Sequence, residues 1–251
     1  MLPPPSPPPT TAVIVSDAHL AGAHSDASLA FHRFLEAVPD LGAHLVVNGD
    51  LFDFWFEYGT VIPRDAFPTL ARLAALQERG VELTVTGGNH DRWGGRFWTE
   101  ELGARFFSGP TELTLAGWRV FLAHGDGVAE QHLGGRAVHW LTRRRLPVMA
   151  FRWLHPDLGL RLVHHFSRLL ANRTRTPDRL EEAARAQAAY ATALMAQRPA
   201  LDVVIMGHTH RAAVERVGAR RWYLNPGAWM EGRCYALLGP EGPELRTFKA
   251  G

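Results

Sequence analysis

Five times along this chain a short apolar run, rich in β-branched residues, ends and polar residues of unusual type follow at once. Ala12 to Ser16 leads into Asp17, Ala18 and His19; His44 to Val47 leads into Asn48, Gly49 and Asp50. Val81 to Thr86 leads into Gly87, Gly88, Asn89, His90 and Asp91; Val120 to Ala123 leads into His124, Gly125 and Asp126. Leu201 to Met206 leads into Gly207, His208, Thr209 and His210. Each run has the length and composition of a strand. Helical patterns lie between them. Asp65 to Arg79 carries Leu70, Leu73 and Leu76 and stops at Gly80, a left-handed cap. Thr176 and Pro177 open an alanine-rich helix that runs to about Arg198, with proline at the first helical position. Strands alternating with helices predict an α/β layered domain. In such sheets the loops after the carboxyl ends of the strands converge on one crevice, so five polar tips are delivered to one place.

The 251 residues suffice for one large domain or a domain with an insertion. Residues 1–11 are dominated by proline and read as a disordered, polyproline-like tail ahead of a domain over 12–251. The tail has no basic start and no apolar stretch, so a signal peptide is not expected, and no apolar run is long enough to span a bilayer. The single cysteine, Cys234, precludes an internal disulfide and reads as a small buried filler. A formal net charge of +2 gives no reason to expect nucleic-acid binding.

The tips offer carboxylates (Asp17, Asp50), an amide oxygen (Asn89) and imidazoles (His19, His124, His208, His210). Divalent ions of the Mn, Fe or Zn kind accept that mixture of nitrogen and oxygen. The set is too large for one ion and suits two, with a central aspartate able to bridge them. Two ions roughly 3.5–4 Å apart can grip both the attacking and the leaving oxygen of a displacement at phosphorus.

Together these blocks resemble the signature of calcineurin-like metallophosphoesterases, from about Ala12 onward. The resemblance implies a four-layer α/β/β/α sandwich of two mixed sheets. It implies Asp17, His19 and His210 on one metal, Asn89, His124 and His208 on the other, and Asp50 bridging. It further implies His90 as the group facing the leaving oxygen and Asp91 as the residue that orients it. Ser16 to Leu20, Gly49 to Trp55 and Gly227 to Gly232 are similar to the UDP-2,3-diacylglucosamine diphosphatases of lipid A biosynthesis. Those enzymes split a nucleotide-linked glycolipid, usually with manganese, which implies a peripheral protein on the cytoplasmic side of a bacterial inner membrane. Many of them carry arginine where this chain has His90.

The stretch from about 131 to 178 does not read as sheet. Gln131 to Asp178 holds nine arginines, no lysine and two acids, a balance of +7 against +2 for the whole chain, leaving −5 for the rest. It also carries Trp140, Phe151, Trp153, Leu158, Leu162 and Phe166. Segments both basic and apolar suit an anionic lipid surface or a lid with an apolar slot and a basic rim. A helical lid is expected here, with Arg173 and Arg175 on phosphate and Arg92 and Asn225 as further substrate contacts. Asp53 and Asp126, beside the ligand positions, are expected to orient them. Two alternatives compete: a phosphoesterase for a soluble phosphodiester or phosphomonoester, and a non-catalytic scaffold on the same fold.

Overall fold

In the first strand, β1 (Ala12–Val15), every residue is buried. Side chains alternate between the two faces of a strand, so both faces of β1 must be covered. The clusters around it show by what. Val13 and Val15 pack with Phe31, Phe34, Leu35 and Val38, whereas Ala12 and Ile14 pack with Val120, Leu122, Val203 and Ile205. The first group comes from a helix, α1 (Asp26–Leu41), and the second from strands of another sheet.

The computed structural model describes residues 11–128, 144–163 and 177–249. The proline-rich residues 1–10 and much of the expected lid, including Arg173 and Arg175, lie outside them. The remaining elements are β2 (His44–Asn48), α2 (Phe67–Glu78), β3 (Glu82–Thr86), β4 (Arg105–Phe107), β5 (Thr111–Leu115), β6 (Trp118–Leu122) and α3 (Arg145–Arg152). They continue with α4 (Pro177–Gln197), β7 (Val203–Ile205), β8 (Ala213–Gly218), β9 (Arg221–Asn225), α5 (Trp229–Gly232), β10 (Cys234–Gly239) and β11 (Gly242–Thr247).

One sheet runs β11-β10-β1-β2-β3-β4 and the other β5-β6-β7-β9-β8. Both are mixed. β1 to β4 pair in parallel and β10 joins antiparallel; β6, β7 and β9 pair in parallel between antiparallel β5 and β8. Helices α1 and α2 cover the outer face of the first sheet. On the outer face of the second, Ala191, Leu194 and Met195 of α4 meet Phe121, Val204 and Tyr223. This is the α/β/β/α sandwich that the resemblance implies.

The expected strand runs appear as β1, β2, β3, β6 and β7, with ends shifted by one to two residues. Gly80 ends the α2 region with φ of +84°, as its position in sequence predicts. Cys234 is partly buried rather than fully so. Among the described residues, no helix is long and apolar enough to cross a membrane.

Candidate metal centre

The carboxyl ends of β1, β2, β3, β6 and β7 meet, and their polar tips form one cluster. Asp17, His19 and His210 bring one ligand atom each to within 4.8 Å of one another, and so do Asp50, His124 and His208. Asp50 reaches toward both groups, since its Oδ2 is 3.3 Å from His124 Nε2 and 3.6 Å from His19 Nε2. The His210 Nε2 lies 3.4 Å from Asp17 Oδ1.

The backbone makes this convergence at a cost. Asp17, His19, Asp50, His208 and His210 all have positive φ, between 44° and 69°. Non-glycine residues in that region cost roughly 1–3 kcal/mol each and persist where surrounding structure over-determines them. Glycines complete the packing. Gly49 has φ of +81° and a Cβ there would lie 2.4 Å from His124 Nδ1; one on Gly88 would lie 2.1 Å from Asp50 Oδ1.

Each carboxylate uses one oxygen to hold the loops and turns the other inward. Asp17 Oδ2 accepts from His208 N (2.9 Å) and from the Ser16 hydroxyl. Asp50 Oδ1 accepts from His90 N (2.9 Å). Asp17 Oδ1 and Asn89 Oδ1 are buried with no hydrogen-bond partner. A buried oxygen without a donor is costly, and a cation would satisfy it.

The histidines are similarly aimed. His124 Nδ1 donates to Asn48 O (2.9 Å) and His90 Nδ1 to Asp53 O (2.6 Å); carbonyls only accept, so the donor must be the ring. Each ring thereby presents Nε2 to its surroundings. Burial pushes Asp17 up, but the facing His124 and His210 outweigh it and hold the carboxyl at about 2. Burial is likewise outweighed at Asp50, chiefly by His124, and the carboxyl sits well below its ordinary value. Burial, then repulsion from His124, lowers His208 to about 4. For His124 itself burial is opposed by Asp50 and Asp17, which raise it well above the usual imidazole value. Two buried carboxylates whose field can hold a proton on a buried ring make a cation site. The nitrogen and oxygen donors fit divalent first-row ions.

The family model for calcineurin-like phosphoesterases matches residues 10–212. The chain belongs to that family. It is a metal-dependent phosphoesterase, and the family implies divalent metal ions at a centre of this kind. The phosphoesterase is 31% identical to a UDP-2,3-diacylglucosamine hydrolase of Aeromonas salmonicida, over 92% of this chain and 90% of that one. It is 30% identical to the protein of that name from Aeromonas hydrophila, over 92% and 95% of the two chains. It is 28% identical to the one from Porphyromonas gingivalis, over 88% and 91%.

Three sequence expectations are corrected around this centre. Asp91 does not orient His90. Its Oδ1 accepts from Gly88 N (2.7 Å) and Asp50 N (3.1 Å) and its Oδ2 from Leu51 N (2.7 Å), so it ties the Asp50 and Asn89 loops together. The Asp53 carbonyl holds His90 instead. Asn225 is fully buried; its amide donates to Gln187 Oε1, Gly207 O and Thr209 Oγ1 and accepts from Gly227 N. With every polar atom engaged internally it braces the His208 loop and has nothing to offer a substrate. The Arg92 guanidinium is turned inward too, paired with Asp126, both side chains 7% exposed. The sequence reading also missed Gln187, a buried residue of α4 that donates to Gly207 O (3.1 Å).

Proposed function

We propose that this phosphoesterase hydrolyses the pyrophosphate of UDP-2,3-diacylglucosamine, releasing UMP and 2,3-diacylglucosamine 1-phosphate. Asp17, His19 and His210 would hold one divalent ion and Asn89, His124 and His208 a second, with Asp50 placed between the two groups; Mn²⁺ is the ion we expect. When bound, such a pair offsets charge on the phosphoryl oxygens and acidifies a water molecule. The chain's own groups do the rest. Asp50 sets the spacing of the two halves. His90, fixed at Nδ1 by the Asp53 carbonyl, turns its Nε2 to the cleft and delivers a proton to the leaving phosphate oxygen. Asp91 keeps the Asp50 and Asn89 loops in register.

The observation that carries the substrate is the surface next to the centre. Phe151 of α3 packs on Phe54 and Phe56, with ring centroids 5.9 and 4.7 Å away, and both lie within three residues of Asp53. Gly159 is buried against Tyr58 and Phe151. The outward side of the same segment exposes Leu146 (78%), Met149, Trp153 (88%), Leu158 and Leu162 beside exposed Arg144, Arg152 and Arg161. A cluster of apolar side chains in water with a basic fringe suits acyl chains and anionic headgroups. It supports a lid over about 131–178 and a peripheral position on the cytoplasmic face of the inner membrane. Arg173 and Arg175, outside the described residues, are the arginines we assign to phosphate.

His90 favours one second reading, a soluble phosphodiester or phosphomonoester as substrate. One experiment separates the two. Mn-loaded protein is incubated with UDP-2,3-diacylglucosamine and the products are weighed by mass spectrometry. UMP and the lipid phosphate in equal amounts support the first; an intact lipid beside turnover of a small diester supports the second.

A further inference from the structure

The two halves of the centre are not built alike. Among the site histidines with a described Nδ1 bond, His124 and His90 meet backbone carbonyls. His210 meets a carboxylate, with Nδ1 2.7 Å from Glu231 Oε1. Glu231 belongs to α5, whose backbone is bonded to the first strand's tip. Trp229 N donates to Ser16 O (3.0 Å) and Met230 N to Asp17 O (3.2 Å). The Trp229 ring is buried against Phe31 and Phe34, with centroids 5.2 and 4.6 Å away. So the helix that presents Glu231 is anchored in the core while its backbone grips the Asp17 loop. The Glu231 side chain itself is 52% exposed, whereas that of His210 is 3% exposed. An exposed acid bonded to a buried ring contributes little to folding; its effect falls on the ring.

We propose that Glu231 is a positioning residue for the Asp17, His19 and His210 half of the centre, making that half the tighter holder of a divalent ion. The inference rests on the two-ion reading given above. An ionised carboxylate only accepts, so it forces the proton of a neutral His210 onto Nδ1 and leaves the Nε2 lone pair facing Asp17 Oδ1. It also makes that nitrogen a better donor to a cation than a backbone carbonyl would. Partners of this kind typically change metal affinity by about 10–100-fold.

The test is a Mn²⁺ titration of the metal-free full-length chain by calorimetry, comparing parent, Glu231→Ala and Glu231→Gln. The parent should take up two ions in two steps. Glu231→Ala should weaken the tighter step about 10–100-fold and leave the other alone. Glu231→Gln, which keeps an acceptor oxygen, should recover a large part of the loss. In an Asn89→Ala background, which cripples the other half, Glu231→Ala should lower the affinity that remains. Melting of the metal-free protein should hardly move. Two steps unchanged by Glu231→Ala overturn the role given to Glu231, as does a fall in both steps together with a lower metal-free melting temperature. A parent that takes up one ion overturns the two-ion reading and this inference with it.

Discussion

The strand tips and the segment around α3 solve opposite problems. At the tips, charged and polar groups are buried, several of their atoms, Asp17 Oδ1 and Asn89 Oδ1 among them, have no hydrogen-bond partner, and five non-glycine residues sit at positive φ. Around α3, apolar side chains are exposed and the fringe is arginine. Both depart from the ordinary arrangement of apolar inside and charged outside. On the function proposed above, the difference is a division of labour: the strand tips hold the chemistry and the segment around α3 meets the lipid.

That division can be broken most sharply at Asp50. Asp50→Asn should lower turnover by several orders of magnitude and reduce the metal found per chain by elemental analysis, because this side chain faces both halves. A fully active variant would end the two-metal reading. His90→Ala comes next. It should retain its metal yet turn over about 10²–10⁴-fold more slowly, the usual loss when a proton donor is removed. Metal loss with an unchanged rate per bound ion would make His90 a ligand instead.

The third test enters from the other side. Leu146→Ser with Trp153→Ser removes two exposed apolar groups outside the tips. It should lower kcat/KM on the lipid substrate by about tenfold or more, since burying each such side chain is worth about 1.5–3 kcal/mol. Hydrolysis of a small chromogenic diester should not change, and neither should thermal stability. Equal losses on both substrates would show that the insertion serves the chemistry rather than the lipid.

The smallest effect lies away from both regions. His44 bonds Thr84 Oγ1 through Nε2 (2.8 Å). Burial, reinforced by Arg105 and opposed by Glu82, lowers its pKa from 6.5 to about 4. As pH falls, the unfolded chain therefore takes up this proton first. The stability that depends on neutral His44 is fully present above about pH 6.5 and declines between 6.5 and 4. We expect roughly 1–2 kcal/mol over that window after solvent screening, and His44→Gln should flatten it in urea melts. A variant as acid-sensitive as the parent would assign the effect to other groups.

The sequence was most legible where chemistry and periodicity coincide. Strand runs ending in Asp, Asn and His announced both the sheets and the centre, because few other reasons put such residues at five strand ends. Helix α1 escaped that reading although its signals are local: Ser25 caps it, and Phe31, Phe34, Leu35 and Val38 recur at helical spacing. Strands β8 and β11 escaped it because none of their residues is fully buried, so burial leaves a faint pattern, whereas β9 and β10 were missed although Tyr223, Leu224, Ala236 and Leu238 are buried and apolar. Asp91 and Arg92 stood beside Asn89 and His90 in the chain, and with Asn225 they were given roles at the substrate or at His90. What they do depends on who else is within 3 Å, and their partners lie up to 41 residues away. Glu231 was hidden for the same reason, being 21 residues from His210.

The positive φ angles at the ligand positions bear on how this protein responds to selection in the laboratory. Glycine at Asp17, His19, Asp50, His208 or His210 would relax the backbone at the site of each change. A library sorted only for heat tolerance, without a test of turnover, would therefore tend to enrich changes at the positions the reaction can least spare. Breeding a hardier variant requires freezing those five codons first and letting robustness come from helix caps and loops elsewhere.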